Sequence, residues 1–199
     1  MHKVLKFLIL SSIFYNFAAG ALGPIYAIFV TEIGGGVFIA SSAWAIYAAF
    51  VGILILIFGR FEDRLNKKHV FIVGRLVNTI GIIGYLFVSS PVQLFVVQGI
   101  LGIATAMMNP TFEALYSRGL RRGHEAFEWS MWEGSIFIVF AVASVIGGTV
   151  ASIFGFKALF LVMAVASSVS LVTATLLLQK GLWEELHKIR LGRLGARKT

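Results

Sequence analysis

The chain is 199 residues long, 58% hydrophobic and only 13% charged, with no cysteine and a formal net charge of +8. This composition lies far from the roughly one-quarter charged make-up of soluble domains, so the bilayer is the expected solvent. Disulfides, thiolate nucleophiles and iron–sulfur clusters are excluded outright. His2, His69, His124 and His187 all fall outside the apolar runs, among basic residues at predicted helix ends, which argues against a metal site.

In chain order, six spans are predicted at about 5–30, 37–58, 70–88, 92–115, 127–153 and 156–178. Each run is continuously apolar, not alternating, and long enough to cross the ~30 Å hydrocarbon core as a helix, so a β-barrel is not expected. Ala19-Gly-Ala21 in the first run resembles a signal-peptide cleavage site, but the run continues to Val30, too long for a signal segment. Between the runs lie Glu32-Ile-Gly-Gly-Gly36, a charged loop from Gly59 to His69, Ser89-Ser-Pro91, a basic loop from Arg118 to Glu125 and a very short turn around Gly155. Pro91 suits a first helical turn.

With the amino terminus inside the cell, fifteen of the seventeen Lys and Arg residues fall on the cytoplasmic side, leaving Lys157 outside and Arg75 within a span. This bias fixes one orientation, with both termini cytoplasmic, and explains the net charge without nucleic acid. The organisation expected is a transmembrane bundle over 1–180 followed by a basic cytoplasmic tail at 181–199 that lies near anionic lipid.

The loop after the second span reads Gly59-Arg-Phe-Glu-Asp-Arg-Leu-Asn-Lys-Lys68. It is similar to the signature loop between helices two and three of the major facilitator superfamily, Gly-x-Leu-Ala-Asp-Arg-x-Gly-Arg-Lys, with Gly59, Asp63, Arg64 and Lys68 matching and Lys67 a basic replacement. Glu62 and Asn66 stand at its Ala and second Gly positions. Phe95-Val-Val-Gln-Gly-Ile-Leu-Gly-Ile-Ala104 resembles the family's fourth-helix pattern, with Phe95 where proton-coupled members often have arginine. Ala143-Ser-Val-Ile-Gly-Gly148 resembles the antiporter motif without its Gly-Pro, and Gly155-Phe-Lys-Ala-Leu-Phe160 resembles the family's Gly-Trp-Arg-x-x-Phe turn.

The resemblance implies an all-α membrane protein: a six-transmembrane-helix bundle that is half of a major facilitator fold, made of two inverted three-helix repeats at about 1–88 and 91–180. It also implies that helices one and four line the cavity, two and five face the other half, and three and six lie outermost. Paired prolines support such repeats, since Gly23-Pro-Ile-Tyr26 and Asn109-Pro-Thr-Phe112 occupy equivalent depths of the first and fourth spans.

The fourth span carries a polar stripe, Gln98, Gly102, Thr105, Asn109, Glu113 and Tyr116, at spacings that share one helical face. Such a stripe faces protein or water, either lining a cavity or bonding between helices. Ser12, Asn16, Gly20 and Gly23 make a smaller counterpart in the first span. The cavity candidates are accordingly Asn16, Tyr26, Gln98, Thr105, Asn109 and Glu113. Tyr15, Tyr26, Trp44, Met107 and Met108 suit an amphipathic solute or plain packing. Three charges fall within spans: Arg75, a candidate partner for the signature loop; Glu113, a candidate for solute or proton binding; and Glu133, beside Trp129 and Trp132.

Asp63 is the only aspartate and no histidine lies in a span, so neither an aspartyl dyad nor a histidine-activated serine is available, and no enzyme and no cofactor is expected. The expected function is transport of a small solute by alternating access, in a parallel homodimer of half-size subunits in the cell membrane. Asp63 of one subunit would approach the fifth span of the other near Phe127. The alternatives are an isolated amino-terminal half that needs another chain, and a non-transporting membrane scaffold.

Overall fold

In the computed structural model the described residues are 3–62 and 65–176. They are helical almost throughout. The long helices are α1 (Lys3–Leu22), α2 (Tyr26–Glu32), α3 (Val37–Glu62), α4 (Lys67–Gly84), α5 (Pro91–Gly119) and α6 (Glu125–Thr175), with short 3₁₀ turns at Gly23–Ile25 and Tyr85–Phe87. Among them, five segments are long and apolar enough to cross a membrane, α1 and α2 together making the first. The chain is a multi-pass membrane protein.

The element ends follow from local chemistry. Pro24 has no N–H and its ring clashes one turn back, so α1 stops at Leu22 and the chain resumes as α2 after a 3₁₀ turn. Gly34 ends α2 with φ of +80°, while the Gly34 and Gly35 N–H groups bond back to the Thr31 and Val30 carbonyls. The Asn66 side chain accepts from the Lys68 N–H at 3.3 Å and caps α4, a role open to the amide at a place where the signature loop has glycine. Pro91 opens α5, where no N–H is needed.

α6 is 51 residues long, about 75 Å if it were straight, more than twice the hydrocarbon core. It is not straight. Ser144 donates to the Gly20 carbonyl at 3.3 Å, while Ser11 and Ser170 exchange hydrogen bonds of 3.0 and 2.7 Å. In a straight helix Ser144 and Ser170 would stand about 39 Å apart, whereas their partners on α1 are separated by only about 14 Å. The helix therefore folds back, and it does so at Gly155, whose φ of 81° and ψ of 170° are non-helical. The first arm, 125–154, runs alongside α1, and the second arm, 156–175, returns against it. The second arm covers the residues of the predicted sixth span, and the chain reverses at the predicted turn around Gly155.

Packing is uneven in a way that positions the site. α5 is the most buried helix, and the second arm of α6 buries one face, Phe156, Leu159, Phe160, Met163, Ala166, Ser167, Ser170 and Ala174, while Leu161, Val165 and Val172 stay exposed. By contrast Ala43 is the one buried residue among the described side chains of α3, and the first arm of α6 buries only Glu128, Ala143 and Gly147. Small residues allow the close crossings. Gly74 faces Met108 and Gly81 faces Leu101 across the α4–α5 contact, and Gly102 lies under Tyr47 and Phe50 of α3.

At one end of the bundle, α5 and α6 are joined by an ionic clasp. The fully buried Glu128 carboxylate accepts from the Arg121 backbone N–H at 2.8 Å and from Arg121 Nε at 2.7 Å, and the Tyr116 hydroxyl donates to the Glu128 carbonyl. Arg121 is 44% exposed, so solvent screens the pair and its value rests mostly on the charge-assisted bond to the backbone. Glu128→Ala should cost about 2 kcal/mol in denaturant unfolding, and Glu128→Gln about half as much because an acceptor for the N–H remains. Equal stability of all three proteins would show that the clasp carries no load.

Candidate functional site

A cavity of about 360 Å³ lies between the helices, walled by α1, α3, α4, α5 and both arms of α6. Its lining is mainly apolar and aromatic, including Tyr15, Leu22, Trp44, Ile82, Leu101, Phe140 and Met163, with Asn16, Tyr26, Tyr47, Asn78, Tyr85, Gln98 and Thr105 as polar points. Among the described lining residues there is no Asp, Glu, His, Lys or Arg.

The polar points are held by one another. Gln98 donates from Nε2 to the Tyr26 hydroxyl at 2.7 Å and to the Tyr85 hydroxyl at 3.3 Å. That single amide ties the α2 end of the first span to the end of α4. The Tyr47 hydroxyl donates to Thr105 Oγ1 at 3.2 Å, joining α3 to α5, and Asn16 donates to the Ser12 carbonyl at 2.8 Å within α1. Asn78 donates to Ser167 Oγ at 3.1 Å, and Thr79 bonds the same serine at 2.9 Å, so the α4 wall is anchored to the second arm of α6. Trp44 and Tyr47 pack with ring centres 5.2 Å apart. The outcome is an amphipathic pocket whose hydroxyls and amides are fixed in position and whose walls are rings, the usual make-up of small-molecule sites.

The predicted site residues separate into groups. Asn16, Tyr26, Gln98 and Thr105 come together on the cavity wall. Asn109 and Glu113, on the same face of α5, lie outside it and are exposed, as is Glu133 on the first arm of α6. Tyr116, the last residue of the stripe, is buried in the clasp beside Trp129 and Trp132. Of the aromatic and methionine candidates, Tyr15, Tyr26 and Trp44 line the cavity, whereas Met107 and Met108 pack against Gly74. In the signature loop Gly59 is exposed and Lys67 is buried at the start of α4 next to Lys68; Asp63 and Arg64 lie outside the described residues, as does the tail. Arg75 is buried inside the bundle against Ser12, Tyr15 and Phe71. Tyr47, Asn78, Tyr85 and Phe140 were not foreseen as lining, because nothing in their own spans distinguishes them from packing residues.

Residues 8–191 match the family model of the Major Facilitator Superfamily. The chain is 26% identical over 184 residues to the multidrug resistance protein MdtG of Klebsiella pneumoniae (strain 342), covering 89% of this chain and 44% of that protein. It is 23% identical over 168 residues to MdtG of Escherichia coli (strain K12 / DH10B), covering 81% and 41%. The crystal structure of the POT family transporter PepTSo superposes with a TM-score of 0.76 at 14% identity, over 89% of this chain and 37% of that one. The chain thus spans less than half the length of the relatives it matches. With the family's helical bundle, its signature loop and a family match over most of its length, the chain belongs to the major facilitator superfamily of membrane transporters.

Proposed function

We propose that the chain is a half-size transporter subunit that takes a small amphipathic solute into the cavity between α1 and α5 and moves it by alternating access. The observation that carries this reading is the cavity itself: aromatic walls of Trp44, Tyr15 and Tyr26 around hydroxyls and amides locked by Gln98 and Thr105. The similarity to multidrug resistance proteins supports a loosely recognised amphipathic solute over a single, tightly matched one. Each arm of α6 crosses the membrane on this reading, giving six spans in two inverted three-helix repeats, with both termini in the cytoplasm and the basic loops beside them.

Alternating access needs a second bundle to rock against, and two helices are free to meet it. α3 exposes Trp44, Ile53 and Leu56, and the first arm of α6 exposes Phe137, Ile138 and Val145. A second copy in the same orientation, related by a two-fold axis along the membrane normal, would cover these faces. It would also enclose Asn109, Glu113 and Glu133, which a lone bundle leaves exposed.

The test is the mass of the protein in nanodiscs by native mass spectrometry, together with dye flux in proteoliposomes. A dimer with flux that falls at least tenfold in Glu113→Gln at unchanged expression is the expected result. A persistent monomer that gains flux only with a separate carboxy-terminal six-helix partner would replace self-pairing by pairing with another chain. Absence of flux in either form would leave the scaffold reading.

A further inference from the structure

Arg75 is 3% exposed, and no carboxylate pairs with it among the described residues. Its Nη2 reaches only Ser12 Oγ at 3.5 Å, and its Nε and Nη1 have no hydrogen-bond partner. The guanidinium carbon lies 4.3 Å from the centre of the Tyr15 ring and 4.9 Å from that of Phe71. Stacking of this kind offsets part of the desolvation of a cation but leaves its in-plane N–H donors unused. A fully buried guanidinium with an idle edge is costly for packing alone, and its planar fork is shaped for a carboxylate.

Its position supplies the second half of the argument. Tyr15 belongs both to the stack on Arg75 and to the cavity wall, and Asn78, one turn further along α4 from Arg75, lines the cavity too. The ring of Tyr15 is therefore the partition between a chamber with no charge on its wall and a buried cation with unused donors.

We propose that Arg75 is the anion-recognising group of this cavity, and that the preferred solute class is an amphipathic carboxylate. The apolar body of the solute lies against Trp44 and Tyr26, and Tyr15 swings aside to let the carboxylate reach the Nε and Nη1 edge of Arg75. This inference rests on the cavity being a solute site, as proposed above, but not on transport through it.

The experiment is isothermal titration of the full chain in lipid nanodiscs with 1-naphthoate and with 1-naphthamide, each corrected with empty discs. The two probes share a shape and differ by one charge. The wild-type protein should bind naphthoate at least tenfold more tightly. Arg75→Gln should erase that preference while leaving naphthamide affinity within threefold, and Arg75→Lys should keep part of it, because an ammonium lacks the planar fork. Tyr15→Ala keeps the charge and removes the partition, so it should widen the preference at least threefold even if Arg75→Gln does not fold. Equal binding of the two probes by the wild-type protein, binding of neither, or a preference that survives Arg75→Gln would overturn the proposal. A naphthoate preference in a protein that moves no solute would leave the site standing and defeat transport, whereas flux without the preference would do the reverse.

Discussion

Gly147→Leu is expected to prevent the bundle from assembling, with loss of a monodisperse product in detergent or, where some is recovered, a stability deficit of about 3 kcal/mol or more. A Cβ built on Gly147 would stand 2.1 Å from the carbonyl oxygen of Ala21 and 2.7 Å from its carbonyl carbon. Those atoms belong to a backbone, so no side chain can rotate away to make room. The crossing is tight for a reason written just beyond α1, in the 3₁₀ turn that follows it. Pro24 offers no N–H to the Gly20 carbonyl four residues before it, and a carbonyl without a donor is expensive where no water reaches. Ser144 supplies the missing donor, and Gly147, one turn on, lets the two backbones come close enough for that bond to form. Leucine at 147 would push the first arm of α6 away from α1 and free the Gly20 carbonyl again. Gly148→Ala is the matched control: nothing lies within 4 Å of its Cβ position, so it should be neutral. Equal thermal midpoints for the two variants would mean that the crossing is looser than its geometry shows.

Gly155→Val should cost about 3 kcal/mol without touching any neighbour. The space around Gly155 is open, so steric contact is not the cause. The cause is the backbone, because φ of 81° with ψ of 170° lies in a region essentially restricted to glycine, and valine is branched at Cβ. The absence of cysteine from the chain makes a direct readout possible. Ser11 and Ser170 have Oγ atoms 3.3 Å apart, so the Ser11→Cys, Ser170→Cys pair should cross-link readily when the second arm is folded back. Adding Gly155→Val should slow or abolish the cross-link. Undiminished cross-linking at an unchanged midpoint would show that another residue of α6 can make the turn.

Most of the fold was legible before any coordinates, for a physical reason. Apolar runs record burial in lipid directly, and Gly-Gly-Gly at 34–36, Ser-Ser-Pro at 89–91 and Gly155 mark the places where helices must end or bend. The candidate site was legible only as a face. The stripe from Gln98 to Tyr116 does share one side of α5, yet that side meets Tyr26 and Tyr85 at one end, Tyr47 in the middle, open surface at Asn109 and Glu113, and the clasp at Tyr116. Periodicity gives the direction in which a side chain points; the neighbour it meets depends on how five other segments are arranged. The Arg121–Glu128 clasp escaped notice for a related reason. A loop with three arginines reads as an orientation signal, and nothing local shows that one of them turns back onto the next helix. Arg75 stood out because a charge in an apolar run is conspicuous, but only the packing shows that its donors are idle.

The turn at Gly155 also bears on how the protein is made. Two arms joined without a loop leave no polar segment to be exported by itself. The first arm buries three residues and is held to α1 at Ser144 and Gly147, whereas the second arm carries most of the buried face of α6. On the six-span reading, residues 125–175 must therefore enter the bilayer as one helical hairpin, and a chain truncated just after Gly155 should be cleared by membrane proteolysis before the rest of its bundle can settle.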